Sequence, residues 1–592
     1  MKKTRRTPED NEKAQLENEI ARLNKKIAKY EAIELKQNRF GLVWLDVPEA
    51  FEDDVENKLP ILEEVPKLAI NSKDNKPTHL LIEGDNYHAL TCLNYTHKGK
   101  IDVIYIDPPY NTGSDGFKYK DKRILEEYPD GTEVPVEHPL RHSYWLSFMK
   151  KRLDLARDIL AKTGLIFISI DDNELAQLKL LCDEIFNESN FISIIALRVS
   201  PPNGVKTTHA KKTIIKEKEF LLVYAKNKSE VQFTPQFKRA EKWDFHFNYF
   251  IEKPSANLKT WKVITLSEKL KEFDLIADLE NEKFLDFIAK NADCIFQPVG
   301  LAKIKNNPKY NQEKIVPIEG MNDYFAYKGR QVQLLSKSLK ETPDGLTLSR
   351  LVCDLWTDIS FNNLFQEGGV DLKFGKKPVE LVKRVINIST QNKKGVILDF
   401  FAGSGTAGQA VMELNAKDGG ERQFIIITNN EEVINGQHHK IMTDICYPRI
   451  KNVIKGYNSK KGLGNSIKYF KTAFVGKNNI LKADDADKIE LAHNAGGMLA
   501  IAENTFDPVE QNNYWQIFEN KKQYTAVYFR EEFSKFDDFV ERVRKLKKPA
   551  VVYIFSWEKE FDFNDFDDDK NIQIKTIPQP ILEIYKNIYN LV

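Results

Sequence analysis

The sequence predicts an α/β fold built on a parallel sheet, with an inserted segment in its middle and a separate α+β unit at its carboxyl end. Three observations predict this. Short apolar runs ending in carboxylates or glycines alternate with helical stretches from Thr78 to Asp172 and again from Val396 to Val453. Between about Arg198 and Ser349 that alternation breaks into strand-like and aromatic-rich pieces, as an insertion would. Beyond about Lys471 the pattern changes once more, to strand candidates at Thr525 to Phe529 and Ala550 to Phe555 and a closing helix from Pro580 to Leu591.

The elements follow in order. Residues 1–40 form a charged amino-terminal segment in which Leu16, Ile20, Leu23, Ile27 and Tyr30 recur at alternating steps of four and three. That seam spans about two heptads, so dimerisation and packing on its own chain stand equal. Residues 41–197 hold the first half of the main domain: a strand at His79 to Ile82, a turn at Gly84-Asp85-Asn86, a helix at His88 to Tyr95 and a strand at Ile101 to Ile106. A helix at Tyr144 to Leu160 and a strand at Gly164 to Ile170 complete it, with Asp171 and Asp172 read as the start of the next helix rather than as ligands. Residues 198–350 are the insertion, 351–470 the second half and 471–592 the carboxyl-terminal unit.

The strand Ile101 to Ile106 runs directly into Asp107-Pro108-Pro109-Tyr110. A carboxylate and a backbone carbonyl can each accept one hydrogen bond from an NH2 group, and a tyrosine ring offers a flat face to the base that carries it. Proline keeps the turn stiff. The bland alternative is loop punctuation. Far downstream, the strand Val396 to Asp399 enters Phe400-Phe401-Ala402-Gly403-Ser404-Gly405-Thr406, a glycine turn before a helix that runs to Asn415. Such a turn lets the backbone approach a ligand closely and leaves N–H groups free at the helix start. Gly403, Gly405 and Gly408 also spell a dinucleotide-binding pattern, with Glu431 and Glu432 beyond the next strand.

Composition narrows the class. A chain of 592 residues needs several structural units. With 88 Lys and Arg against 87 Asp and Glu, the net charge of +1 neither supports nor excludes nucleic acid, so any such contact must come from local patches. The insertion carries one, Lys206, Lys211, Lys212, Lys216 and Lys218, which suits phosphates but is equally the pattern of a solvated loop. The 5 cysteines are scattered singly, so no zinc site and no disulfide framework is expected, and the acidic run Asp562 to Asp569 lacks the pattern of a calcium loop. No signal-like or membrane-spanning stretch is seen, and a cytoplasmic protein is expected.

The motif Asp107-Pro108-Pro109-Tyr110 resembles that of methyltransferases acting on adenine N6, and its position before the Phe401 to Gly405 loop resembles the β group of DNA amino-methyltransferases. With Gly84-Asp85-Asn86, His142 to Leu160, Ile168 to Glu174 and Lys376-Lys377-Pro378-Val379, the chain from about residue 38 to 470 is similar to the modification subunits of Type III restriction-modification systems. The resemblance implies a Rossmann-like methyltransferase sheet using S-adenosylmethionine rather than NAD, with the insertion as target-recognition domain. It implies that Asp107, Pro108, Pro109 and Tyr110 hold a flipped adenine in duplex DNA. It places Asp399, Phe401, Ala402, Gly403, Ser404, Gly405 and Thr406 in the cofactor loop, and Asp85, Asn86, Lys377 and Pro378 beside the cofactor. Many relatives carry an acidic ribose ligand at the end of the next strand; here stands Thr428-Asn429-Asn430, with Glu431 slightly later, so the ribose ligand is open. Asp before Pro-Pro favours adenine over cytosine N4, and no Pro-Cys nucleophile motif is present. Modification subunits of this type imply a homodimer, and cleavage would need a separate helicase-nuclease (Res) subunit, since no ATP-binding phosphate loop is encoded. A stand-alone adenine methyltransferase, a specificity subunit that targets such a partner, and methylation of RNA or protein glutamine are the competing readings.

Overall fold

The computed structural model describes residues 44, 59–72, 74–112, 142–199, 211, 214–253, 257–342, 345–362, 364–372, 375–390, 392–430, 432–434, 437–475, 485–529, 535–554, 566 and 569–577. The amino-terminal heptads, the closing helix at Pro580 and most of the acidic run lie outside them. Two compact units are distinguished, one formed by the chain up to Phe233 and from Thr357 onward, the other by Thr234–Trp356.

The first unit is built on a twisted mixed sheet. Its strands are β1 (Leu59–Glu64), β2 (Thr78–Glu83), β3 (Ile101–Ile106), β4 (Leu160–Ile170), β5 (Phe191–Arg198), β6 (Lys218–Ala225), β7 (Val396–Asp399), β8 (Gln423–Thr428) and β9 (Ser466–Val475). They lie side by side in the order β1, β9, β2, β8, β7, β3, β4, β6, β5. From β9 to β4 every neighbouring pair is parallel, while β1, β6 and β5 pair antiparallel with their neighbours. Parallel strands need crossovers, which helices supply: α1 (Asn86–Thr96), α2 (Ser143–Ile159), α3 (Leu175–Phe186), α4 (Val379–Ser389) and α5 (Thr406–Asp418).

The central strands are covered on both faces, which is why they read as unbroken apolar runs. Alternate residues Ile104, Ile106, Ile166, Ile168, Leu398 and Ile425 join one core with Leu90 of α1, Trp145 and Met149 of α2 and Leu178 of α3. The intervening Val103, Tyr105, Leu165, Phe167 and Ile397 are buried too. α4 lies against β3 and β4, and α5 against β7 and β8.

Two boundaries differ from the sequence reading. The run Phe220 to Tyr224, assigned to the insertion, is a strand of the main sheet, paired with β4 from Ile170↔Phe220 to Leu165↔Ala225. The second unit begins only at Thr234. An apolar strand carries no mark of which sheet will accept it, whereas pairing with β4 buries Leu221, Leu222, Val223 and Tyr224 almost completely. The carboxyl-terminal segment holds a five-stranded sheet running in chain order from Asp507–Gln511 to Ile572–Lys575, with helices Asp485–Ala502 and Phe536–Arg544. It packs within the first unit, for instance through the Lys468 ammonium paired with both Glu64 and Asp507.

The second unit contains a six-stranded antiparallel sheet, with Ile295–Val299 between Tyr249–Glu252 and Arg330–Leu334, and the helices Leu266–Lys271 and Glu282–Lys290. The aromatic run seen in the sequence divides by face: Trp243, Phe247 and Phe250 join Phe284 and Phe287 in its core, while Phe245 is 73% exposed.

Leu398 is fully buried at the centre of β7. Leu398→Ala should cost about 2–5 kcal/mol in chemical denaturation; a cost below about 1 kcal/mol would contradict the central place of β7 in this core.

Candidate active site

Because β2, β3, β7 and β8 are parallel, their carboxyl ends lie along one edge and the loops that follow line one pocket. Asp85 and Asn86 follow β2, Asp107 and Pro109 follow β3, Phe401 to Ser404 follow β7, and Thr428 and Asn429 end β8. The pocket opens to solvent, and the empty space in and at its mouth is about 1100 Å³. The chain leaves β3 towards β4 and leaves β7 towards β8, in opposite directions, and such a switch point is where open α/β sheets form a ligand crevice.

At the end of β3 four side chains converge. The Tyr110 hydroxyl donates to Asp107 Oδ1 at 2.8 Å, and its oxygen accepts from Lys377 Nζ at 2.7 Å. Lys377 Nζ also donates to Glu219 Oε2 at 2.6 Å and stands 3.4 Å from Asp107 Oδ1. Glu219 Oε2 is 3.3 Å from the Tyr110 hydroxyl. Burial raises the Asp107 carboxyl above the ordinary range; Lys377 opposes this and Glu219 adds to it. Burial works against the charge of Lys377, yet Asp107 and Glu219 together push its ammonium up, so it stays protonated. Burial and the same two carboxylates push the Tyr110 phenol well up, so it stays neutral.

The turn itself is braced from behind. Trp145 Nε1 donates to the Pro109 carbonyl at 2.7 Å. Asn111 sits at φ +59° and donates through Nδ2 to Glu174 Oε1 at 2.6 Å, an oxygen that also lies 2.7 Å from His142 Nδ1. Among the described residues nothing hydrogen-bonds the Pro108 carbonyl; Pro108 is buried and, like Tyr110 and Gly405, is not part of the pocket lining.

The glycine turn needs its glycines for different reasons. Gly403 and Gly405 adopt φ of +48° and +79°, a region that disfavours side chains. A Cβ on Gly405 would also meet Cys446 Sγ at 2.9 Å, and one on Gly408 would meet Ile450 Cδ1 at 2.6 Å, so Gly408 serves helix packing. Asp399 Oδ1 accepts from the Phe401 N–H at 3.0 Å, and burial pushes its carboxyl well up. Behind the turn lies fully buried Arg449, donating to Ser404 Oγ at 2.8 Å, Thr406 Oγ1 at 2.9 Å, Gln409 Oε1 at 2.8 Å and Glu367 Oε2 at 3.3 Å. The Ser404 and Thr406 hydroxyls therefore fix the turn from behind.

On the opposite wall, Asp85 caps α1 by accepting from the Tyr87 N–H at 2.7 Å, and Asn86 Nδ2 donates to the Phe400 carbonyl at 3.0 Å, tying β2 to β7. Arg152 of α2, fully buried, donates to Asn86 Oδ1 at 2.5 Å and pairs with Asp85 Oδ2 at 3.3 Å. Its guanidinium covers the Phe148 ring at 3.8 Å, and Phe148 lines the pocket beside Phe401.

Most of the residues singled out in the sequence thus meet. Asp85, Asn86, Asp107, Pro109, Lys377, Asp399, Phe401, Ala402, Gly403, Ser404 and Thr406 line the pocket, and Pro378 caps α4 beside Lys377. Lys377 turns to the Asp107 motif as well as to the pocket. Glu431, Lys206 and Lys212 lie outside the described residues. The remaining lysines do not form one patch: Lys211 is exposed, Lys216 pairs with Asp171 at 3.6 Å and Asp172 at 3.4 Å, and Lys218 Nζ lies 4.8 Å from the Phe220 ring centre. Asp171 accepts from the Asn173 N–H at 2.8 Å in the turn that leads to α3. Sequence reasoning misses Glu219, Arg152, Trp145 and Arg449. Glu219 alone carries a signal, a carboxylate at the edge of an apolar run like those after β3 and β7.

The model of the DNA methylase family matches residues 101–440, more than half of the chain. The chain is 33% identical over 469 residues to the Type III restriction-modification enzyme EcoPI Mod subunit of Escherichia phage P1, covering 72% of this chain and 69% of that one. It is 30% identical over 419 residues to the probable type III restriction-modification enzyme HindVI Mod subunit of Haemophilus influenzae, covering 64% of this chain but only about half, 51%, of that protein's length. To the Type II methyltransferase M.KpnI of Klebsiella pneumoniae it is 29% identical, over 59% of this chain and 80% of that one.

Arg449→Met would strip four acceptors of a buried charged donor and leave Glu367 without its partner. It should lower stability by about 3–5 kcal/mol in denaturant titration; a change below about 1 kcal/mol would contradict the bracing role.

Proposed function

The chain belongs to the DNA methylase family, and from that premise we propose that it transfers a methyl group from S-adenosylmethionine to adenine N6 in duplex DNA. One observation carries the proposal: Asp107 and Pro109 after β3, and Phe401 to Ser404 after the adjacent β7, line one pocket. The lining favours this cofactor over a dinucleotide. It presents three carboxylates, Asp85, Asp107 and Asp399, against the single ammonium of Lys377, which suits a ligand bearing a sulfonium and an ammonium and repels a pyrophosphate. Asp85 and Asn86 would hold it from the β2 side, Asp399 and the glycine turn from the β7 side, and Thr428 and Asn429 supply polar groups at the end of β8, where Glu431 is the sequence candidate.

When bound, S-adenosylmethionine supplies an electrophilic methyl group whose C–S bond breaks with its electron pair passing to sulfur as the new C–N bond forms. The chain's own residues prepare the nucleophile. Asp107 and the Pro108 carbonyl accept the two N–H bonds of the amine and orient its lone pair, Asp107 being placed to take the proton that nitrogen sheds. The Tyr110 ring supports the extruded base, whose removal from the duplex costs a few kcal/mol of binding energy. Asp107 must be ionised to accept, so the rate falls as pH drops through its raised pKa.

The proposal extends to the system. Modification and sequence recognition reside in this chain, working in the cytoplasm as a homodimer, with the Thr234–Trp356 unit as target-recognition domain and the exposed Lys211 as a candidate phosphate contact. Cleavage falls to a separate helicase-nuclease (Res) subunit. The 80% coverage of a Type II methyltransferase favours a second reading, an enzyme that methylates without such a partner. Among the described residues no helix is long and apolar enough to cross a membrane.

Purified chain with isotopically labelled S-adenosylmethionine and duplex DNA should yield N6-methyladenine on nucleoside analysis, and Asp107→Ala should yield none. Tyr110→Ala should lower kcat at least about a hundredfold while S-adenosylmethionine affinity stays within about threefold; unchanged turnover would remove the ring from the mechanism. In a pH titration, the acidic limb of kcat should lie above the ordinary carboxylate range, near pH 4, and a limb at or below it would contradict the buried state of Asp107.

A further inference from the structure

The convergence on Asp107 poses a problem for any amine that must use it. Asp107 Oδ1 already accepts from the Tyr110 hydroxyl at 2.8 Å and faces the Lys377 ammonium at 3.4 Å. The carboxylate has a second oxygen, so the competition concerns Oδ1: an amine that uses this oxygen shares it with both groups unless they are held elsewhere. One group lies within reach of both: Glu219 Oε2 is 2.6 Å from Lys377 Nζ and 3.3 Å from the Tyr110 oxygen.

The placement of Glu219 follows from strand direction. β6 is antiparallel to β4, so its beginning, rather than its end, reaches the edge where the parallel strands finish. Alternation then separates Glu219 from Lys218 and Phe220, whose side chains meet each other on the other face. With its partner lysine coming from the residues before α4, Glu219 is delivered by an element distinct from those carrying Asp107 and Tyr110.

Resting on the methyltransferase reading, we propose that Glu219 is a positioning residue that draws Lys377 and the Tyr110 hydroxyl away from Asp107 Oδ1, freeing that oxygen for the substrate amine. In the present arrangement the Tyr110 hydroxyl reaches Asp107 Oδ1 at 2.8 Å and Glu219 Oε2 at 3.3 Å. When an amine arrives, the hydroxyl rotates its hydrogen to Glu219 Oε2, and Lys377 keeps its shorter contact with Glu219. Asp107 then offers Oδ1 to the amine. The cluster retains one net negative charge, two carboxylates against one ammonium, facing a cationic methyl donor. Without the charge of Glu219, Lys377 would collapse onto Asp107, and the cluster would be neutral and Oδ1 occupied.

The test is steady-state methylation of duplex DNA by the full-length chain at saturating S-adenosylmethionine. Glu219→Gln keeps the shape and removes the charge; it should lower kcat at least about tenfold with the KM for S-adenosylmethionine within about twofold. Glu219→Asp, which keeps the charge, should stay within about fivefold of the parent. The double variant Glu219→Gln/Lys377→Met should recover at least about threefold in kcat over Glu219→Gln, because the ammonium that blocks Asp107 is gone. A merely structural role for Glu219 would not produce that rescue. Glu219→Gln within about twofold of the parent, or a double variant no better than the single one, overturns the proposal while leaving the methyltransferase reading intact. A parent chain that transfers no methyl group to DNA overturns both.

Discussion

Two backbone pairings, Ile397 with Val103 and Leu398 with Ile104, hold β7 beside β3 and thereby join segments nearly three hundred residues apart in the chain. Everything in the pocket depends on this contact. It sets the Asp107 motif against the Phe401 turn, and because the two strands are parallel, both loops emerge at the same edge. The helices over the sheet then fix the loops from behind: Trp145 of α2 holds the Pro109 carbonyl, Arg152 of α2 holds Asp85 and Asn86, and Arg449 holds Ser404 and Thr406. Two of these braces are fully buried arginines, whose charge is tolerable because each guanidinium nitrogen has an acceptor. The site is preorganised by the same packing that stabilises the sheet.

Electrostatics divide the pocket into two regions. Around Asp107 the charges are coupled: Lys377 stays protonated between two carboxylates, and Tyr110 stays neutral against them. Around Asp399 the carboxylate is held by one N–H and otherwise buried, so its acidity is weakened until a cation arrives to restore it. A positively charged ligand would relieve both regions at once, whereas an anionic one would add to the strain. The glycine turn alone leaves the ligand open; the charges around it favour a cation.

The order of parallel strands, the carboxylates at their ends and the glycine turn are legible in the sequence because each is written locally, as an apolar run followed by a residue with a distinct conformational or chemical role. Asp85, Asp107, Asp171 and Asp399 fall on one edge by sequence reasoning alone, since parallel strands share an exit, although Asp171 does not line the pocket. β6 reads as part of the insertion, because an apolar strand does not announce its partner, and with that reading Glu219 is lost from the site. Arg152 and Arg449 are invisible for a related reason: on an amphipathic helix an arginine reads as solvent-facing, and only the packed fold shows that it points inward to a turn. Lys377 reads as a cofactor contact, and its link to Tyr110 and Glu219 emerges only with tertiary geometry. The lysines of the insertion look like one patch in the sequence, but Lys216 is neutralised by Asp171 and Asp172, and Lys218 lies over Phe220.

The pairing of β3 with β7 assembles the pocket that we propose methylates adenine in a defined DNA sequence. The most direct test of this proposal is single-molecule sequencing of DNA from a methylation-free host expressing this chain, scored by base and by context. N6-methyladenine should be confined to one short motif and absent when Asp107 is replaced by Ala. Modified cytosine in place of adenine, or DNA left unmodified by an abundant folded chain, would contradict the proposal.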